Sequence, residues 1–90
     1  MYQIKYTSRM KHDVKVMKKR GKDLNKLIEV LDKLSKGETL PPHNRDHQLV
    51  GTLSDFRECH IKPDWLLVYT IDDEELELFL FRTGSHSDLF

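Results

Sequence analysis

One cysteine, three prolines and four glycines in 90 residues leave little from which to build several common kinds of protein. Cys59 has no partner in the chain, so a disulfide framework is excluded and a zinc site built on paired cysteines with it. On a strand-like stretch it reads as a small buried side chain, and no chemistry is assigned to it. No run of about 18 apolar residues offers a membrane helix, and Met1 to Lys11 mixes polar and apolar residues where a leader would be apolar. The expectation is a cytoplasmic protein with no membrane partner. Repeats and low-complexity tracts are missing as well.

Net charge is also missing, since 15 Lys and Arg offset 15 Asp and Glu. The balance conceals an asymmetry: residues 1–45 carry 12 basic against 5 acidic side chains, and residues 46–90 carry 3 against 10, which gives +7 and −7. Such a division suits a polyanion partner on one side, and equally a docking surface or self-complementary packing.

The residues present organise as one domain, 1–90. A chain of this length buries roughly 60–65% of the surface its unfolded form exposes, enough for a core without staples. Tyr2 to Tyr6 alternates with period two, as a half-buried strand does, and Thr7 and Ser8 supply capping hydroxyls for a helix from Arg9 to about Arg20. There Met10, Val14 and Met17 mark a core face. Lys11, Lys15, Lys18 and Lys22 form a neighbouring basic stripe, which is either a solvated flank or a phosphate-tracking or partner-docking surface. Gly21 breaks this helix and Asp23 caps a second, in which Leu24, Leu27, Ile28, Leu31 and Leu34 follow the helical period until Gly37 and Leu40-Pro41-Pro42 end it.

A polar loop from His43 then enters a short strand near Gln48–Val50. Strands are expected over about 55–61, 65–71 and 75–82, the last two joined by an acidic hairpin loop at Asp72-Asp73-Glu74. Leu76, Leu78 and Leu80 line one face of the final strand and Phe79 and Phe81 the other, so this strand belongs inside the sheet. The resulting fold class is α+β: an N-terminal strand and a two-helix hairpin on one face of a mostly antiparallel sheet, with a short C-terminal tail.

Chemistry-bearing groups gather in the second half. His47 precedes one strand, His60 ends another, Asp64 lies in the turn at Pro63, and His86 follows the last strand. Arg82 adds a permanent cation, and Trp65 and Phe90 add ring faces on which a base could stack. Attack of a ribose 2′-hydroxyl on the adjacent phosphate needs a base, an acid and positive charge on the phosphoryl oxygens, and this inventory can supply all three. Trp65 and Phe90 can instead be plain core, a Trp that starts a strand being more often packing than a stacking platform, and Arg82 can simply pair with an acid. His43 and His47 stand four apart but after two prolines, and His12 sits on the basic helix, so no metal and no cofactor is expected.

Three separated segments carry a resemblance: Arg45-Asp46-His47-Gln48-Leu49, the run from Phe56 to Tyr69 containing His60-Ile61-Lys62-Pro63-Asp64-Trp65, and Arg82-Thr83-Gly84-Ser85-His86-Ser87-Asp88-Leu89-Phe90. Together with Asp23-Leu24-Asn25-Lys26-Leu27 and Leu40-Pro41, they resemble YafQ-type toxins of the RelE/ParE superfamily. Gln48 stands where related sequences often have proline, and Glu58-Cys59 varies the pair before His60.

The resemblance implies a type II toxin that cuts messenger RNA on the ribosome without a metal, with His86 as proton donor, Asp64 or His47 as base, His60 in a supporting role and Arg82 near the phosphate. Trp65 and Phe90 match substrate-placing positions. The implied partners are a cognate antitoxin, ribosomal RNA and mRNA, with operator DNA bound through the antitoxin. Two competing readings are a ParE-like topoisomerase poison and a module that serves only in repression with its antitoxin.

Overall fold

The computed structural model describes residues 1–90. Its first strand, β1 (Gln3–Tyr6), leads into helix α1 (Ser8–Lys19) through Thr7, whose hydroxyl does two jobs. It accepts from the backbone N–H of Met10 at 2.9 Å, capping the helix, and donates to the Phe81 carbonyl at 2.8 Å. The cap therefore also fastens the helix to the far end of the chain. Gly21 reverses the chain at φ 80°, and the Asp23 carboxylate accepts from the N–H of Asn25 at 3.0 Å to start α2 (Leu24–Ser35).

The periodic positions of α2 divide. Leu27, Val30 and Leu34 are buried, whereas Ile28, expected on the core stripe, is 59% exposed. Val30 takes the place at the core that the periodicity assigned to Ile28, because the face of α2 against the sheet is narrower than the whole apolar stripe.

Beyond Leu40, which joins the core, a short 3-10 turn at Pro42–Asn44 precedes β2 (His47–Gln48). This strand begins earlier than the sequence suggested. The Gln48 side chain donates to the carbonyls of Ser54 and Phe56 and Gly51 turns at φ 76°, so Val50 is left exposed outside the sheet. The remaining strands are β3 (Arg57–Lys62), β4 (Trp65–Asp72) and β5 (Glu77–Gly84), followed by a single helical turn, α3 (His86–Leu89).

The sheet order is β1-β5-β4-β3-β2, antiparallel except that β1 runs parallel to β5. That places β5 between two neighbours, as its two apolar faces require. Leu76 does not extend its aliphatic face: it closes the β4–β5 hairpin at φ 54° and is exposed. A bulge follows further on, where Tyr69 pairs with Leu80 but Val68 pairs with Arg82, leaving Phe81 as the extra residue. The bulge shifts the alternation by one, so that Thr83 enters the core opposite Leu67.

The core lies between the helices and one sheet face, and includes Met10, Met17, Leu27, Leu34, Cys59, Trp65, Leu67, Tyr69, Leu78 and Leu80. The other face, with the turn at Pro63 and the tail, holds the titratable groups.

A candidate active site of histidines and carboxylates

Strand alternation builds the site. Cys59 faces the core, so Glu58 and His60 on either side of it share the opposite face, and the β2–β3 register sets His47 directly across from Glu58. The Glu58 carboxylate is buried, 5% exposed as a residue, and its Oε1 lies 3.7 Å from His47 Nε2 and 3.8 Å from His60 Nε2. One buried carboxylate thus stands between two imidazoles on neighbouring strands.

The outer nitrogens of both rings settle their tautomers. His47 Nδ1 is 2.8 Å from the Arg45 carbonyl and His60 Nδ1 is 3.2 Å from the Pro63 carbonyl. A carbonyl can only accept, so each Nδ1 carries the hydrogen, and in the neutral ring each Nε2 is the bare nitrogen turned toward Glu58. Either Nε2 can take a proton, and Glu58 is in place as the counter-ion. Sequence reasoning missed Glu58, although its i, i+2 spacing from His60 on a strand put the two on one face.

The third histidine arrives from the tail. His86 begins α3, its ring centroid is 6.0 Å from that of His60 and 6.4 Å from that of Phe90, and its Nδ1 is 3.8 Å from Asp64 Oδ1. His47, His60, Asp64 and His86 are therefore brought together as the sequence motifs suggested, and Phe90, 61% exposed, has a ring face available.

Other expected site residues lie elsewhere. Trp65 is 1% exposed and donates from Nε1 to Thr83 Oγ1 at 2.9 Å, so it offers no face to a base and serves as core beneath the site. Arg82 forms two hydrogen bonds with Asp13 of α1, at 2.9 and 3.0 Å, and lines a separate cleft with Arg9, His12 and Arg20. Of the basic stripe, Lys11 and Lys15 border an apolar groove between β1 and the helices, Lys11 standing 5.4 Å from the Tyr6 ring centroid, and Lys18 and Lys22 are exposed to solvent.

Asp46 stabilises the base of the site. Its carboxylate accepts from the Tyr69 hydroxyl at 2.5 Å and from Arg57 at 3.2 and 3.3 Å, which fixes the residue next to His47. Burial first, and then the bond to Asp46, raise the Tyr69 hydroxyl above its ordinary range, so it stays a donor. Burial also pushes the Cys59 thiol up to about 12, with Asp46 and Glu58 adding to the effect, so this thiol is inert.

Beside the Pro63 turn opens a cleft of about 430 Å³, lined among others by Lys26 and Lys33 of α2, His43, Arg45 and Lys62. Lys26, Lys33, Arg45 and Lys62 pair with no carboxylate within 4.0 Å, although Glu29 also lines the cleft, and the His60–Pro63 turn forms one wall.

A five-stranded sheet backed by a helical hairpin is the arrangement of a bacterial toxin from a type II toxin–antitoxin system. The family model described as "Bacterial toxin of type II toxin-antitoxin system, YafQ" matches residues 2–90, and the chain belongs to that family. It is 39% identical over 88 residues to the mRNA interferase toxin YafQ of Escherichia coli K12, covering 97% of this chain and 94% of that one.

Among solved structures, a metal-bound toxin from Helicobacter pylori superposes with a TM-score of 0.94 at 48% identity over the full length of both chains. The toxin of the E. coli DinJ–YafQ toxin–antitoxin complex superposes with a TM-score of 0.89 at 38% identity, covering 99% of this chain and 97% of that one. In the present chain no group of three or more His, Cys, Asp or Glu side chains is arranged to hold a metal ion. The Glu58 carboxylate lies within 3.8 Å of the Nε2 atoms of both His47 and His60.

Proposed function

We propose that this toxin is an endoribonuclease that cuts messenger RNA on the ribosome by acid–base catalysis, with the substrate's own 2′-hydroxyl as nucleophile. The observation that carries the reading is the row of His47, Glu58, His60 and His86 across one sheet face, with the buried carboxylate behind two bare Nε2 atoms. An in-line displacement needs its base and its acid on opposite sides of phosphorus. Asp64 already neighbours His86, on the side of the acid, so the base falls to His47 at the other end of the row.

His47 Nε2 takes the 2′-hydroxyl proton, the 2′-oxygen forms its bond to phosphorus, and the bond to the 5′-oxygen breaks. His86 gives that oxygen a proton, leaving a 2′,3′-cyclic phosphate and a 5′-hydroxyl. Glu58 stabilises the imidazolium forming at His47, and His60, its Nδ1 held by the Pro63 carbonyl and its Nε2 turned to the same carboxylate, helps to fix Glu58 between the two ends of the row. Phe90 supplies a ring for the adjacent base. Arg82 is committed to Asp13, so its charge is largely offset where it stands and its contribution to the phosphate is correspondingly small.

The partner that restrains this activity is a cognate antitoxin, and operator DNA is reached through it. Primer extension on a reporter message in a translating extract, with and without ribosomes, tests the reading. Cuts at fixed codon positions that require ribosomes support it; growth arrest on expression with no cut in any message would replace it with the topoisomerase-poison reading.

The cationic cleft gives a further expectation. Lys26→Gln together with Lys33→Gln removes two positive charges from its wall. RNA binding measured across a range of salt concentrations should weaken and show a shallower salt slope, by about 0.7 for each phosphate no longer neutralised. An unchanged slope would take the cleft off the RNA path.

A further inference from the structure

The His86 ring lacks any hydrogen bond of its own, and its nearest charged neighbour, Asp64, is largely exposed at 3.8 Å. The ring's position is therefore set by the backbone of α3. Four residues of helix cannot hold themselves in place, because a single turn fixes several dihedral angles for very few hydrogen bonds. The order must come from outside the turn.

It comes from the C-terminal end of α1. Arg20 donates from Nη1 to Asp88 Oδ2 at 2.6 Å and from Nη2 to Asp88 Oδ1 at 3.0 Å, a two-point clamp. The same carboxylate accepts from the Ser85 backbone N–H at 2.8 Å, and the Asp88 N–H donates to Ser85 Oγ at 3.2 Å, closing a capping box around the start of α3. Gly84 lets this happen: a Cβ there would come within 2.9 Å of Asp88 Cβ. Helix α1 is itself fastened to β5 through Thr7 and through Asp13. It acts as a splint whose last tie is the clamp on the tail.

We propose that Arg20 is a positioning residue for His86, holding the tail through Asp88 so that the imidazole stands opposite His60. The proposal rests on the assignment of His86 as proton donor and adds to it a residue on the helical side of the fold. The Arg20 guanidinium and the Ser85 backbone hold the Asp88 carboxyl well below the usual carboxylate range, so the clamp stays charged at working pH. Its contribution is complete above the ordinary value of 3.8 and is lost only as pH falls through the lowered folded-state value.

The test compares wild type with Arg20→Asp, Asp88→Arg and the double exchange, reading single-turnover cleavage on ribosome-bound message and backbone ¹⁵N order parameters for residues 85–90. Each single variant should cleave about 10- to 100-fold more slowly, as a displacement of about 1 Å costs, with ribosome affinity unchanged and order parameters in the tail falling below about 0.6. The double exchange restores the ion pair but not the acceptor for the Ser85 N–H, so it should recover part of both and exceed each single variant. Singles with an ordered tail, or a disordered tail with undiminished cleavage, would overturn the proposal, as would a double exchange that restores neither. A wild type that cleaves nothing would defeat the nuclease reading alone, because the order parameters still report on the clamp.

Discussion

Replacing His86 with alanine should all but abolish message cleavage while leaving the fold and ribosome capture intact. The residue sits on the surface at the start of α3, its ring donates to nothing and it packs on no core residue, so its removal has little structural cost. Loss of a positioned proton donor to a poor leaving oxygen slows the chemical step by about 10²- to 10⁴-fold. The measurement is the single-turnover rate of appearance of the 5′-hydroxyl product, with ribosome co-sedimentation as the binding control. Equal rates in wild type and variant would remove His86 from the mechanism. The neighbouring Asp64→Asn should be milder, since that carboxylate is solvent-washed and approaches the ring only at 3.8 Å.

Asp13→Ala should have the largest effect on stability. Asp13 is a buried carboxylate on α1 that accepts from Arg82 Nε and Nη2 and also from the backbone N–H of Thr83 at 3.2 Å. Removing it strands a largely buried guanidinium and a buried N–H at once, and breaking such a pair from one side costs about 3–5 kcal/mol. A domain of this size has a total stability of about 5–13 kcal/mol, so the loss is a large share of the whole. Urea unfolding would show it as a lower midpoint with an unchanged slope. Asp13→Asn, which keeps the shape and one acceptor, should lose less. A midpoint within experimental error of wild type for Asp13→Ala would mean that Arg82 finds water or another acid instead.

The effect should reach the site as well. Thr83 Oγ1 accepts from Trp65 and donates to the Leu66 carbonyl at 2.6 Å, so the Asp13 bond to Thr83 is the outer end of a polar chain that runs under the Pro63 turn to β4. The bulge at Phe81 makes this chain possible by bringing Thr83 to the core face. Nothing in the order of the residues announces that bulge. Gly, Pro and Asn mark turns because of their own backbone preferences, whereas Phe81 becomes an extra residue only through the pairing of two strands.

The same distinction separates what was legible in the sequence from what was not. The helices, their caps at Thr7 and Asp23, and the three C-terminal strands follow from local chemistry, and they stand within a residue or two of the expected positions. The motif histidines could be gathered because antiparallel neighbours bring strand ends together. Glu58 was hidden because an acidic residue between Arg57 and Cys59 looks like ordinary strand polarity until the register sets it opposite His47. The fates of Trp65 and Arg82 were equally hidden: one is decided by the depth of the core, the other by a helix 69 residues away in sequence. Leu76 and Ile28 show the limit from the other side: both are apolar in the right phase, yet Leu76 is taken by the hairpin turn at φ 54° and Ile28 lies off the face of α2 that meets the sheet, so both are exposed.

The parallel pairing of β1 with β5 bears on how the molecule is made. Gln3 to Tyr6 precede every other element in the chain, yet their only sheet partners are residues 77–80. The first strand therefore waits, unpaired, through translation of the helices and three further strands, and contacts so distant in sequence form late. The tail that carries His86 emerges later still. His86 follows β5, so the histidine row closes only after the residues of all five strands have been made.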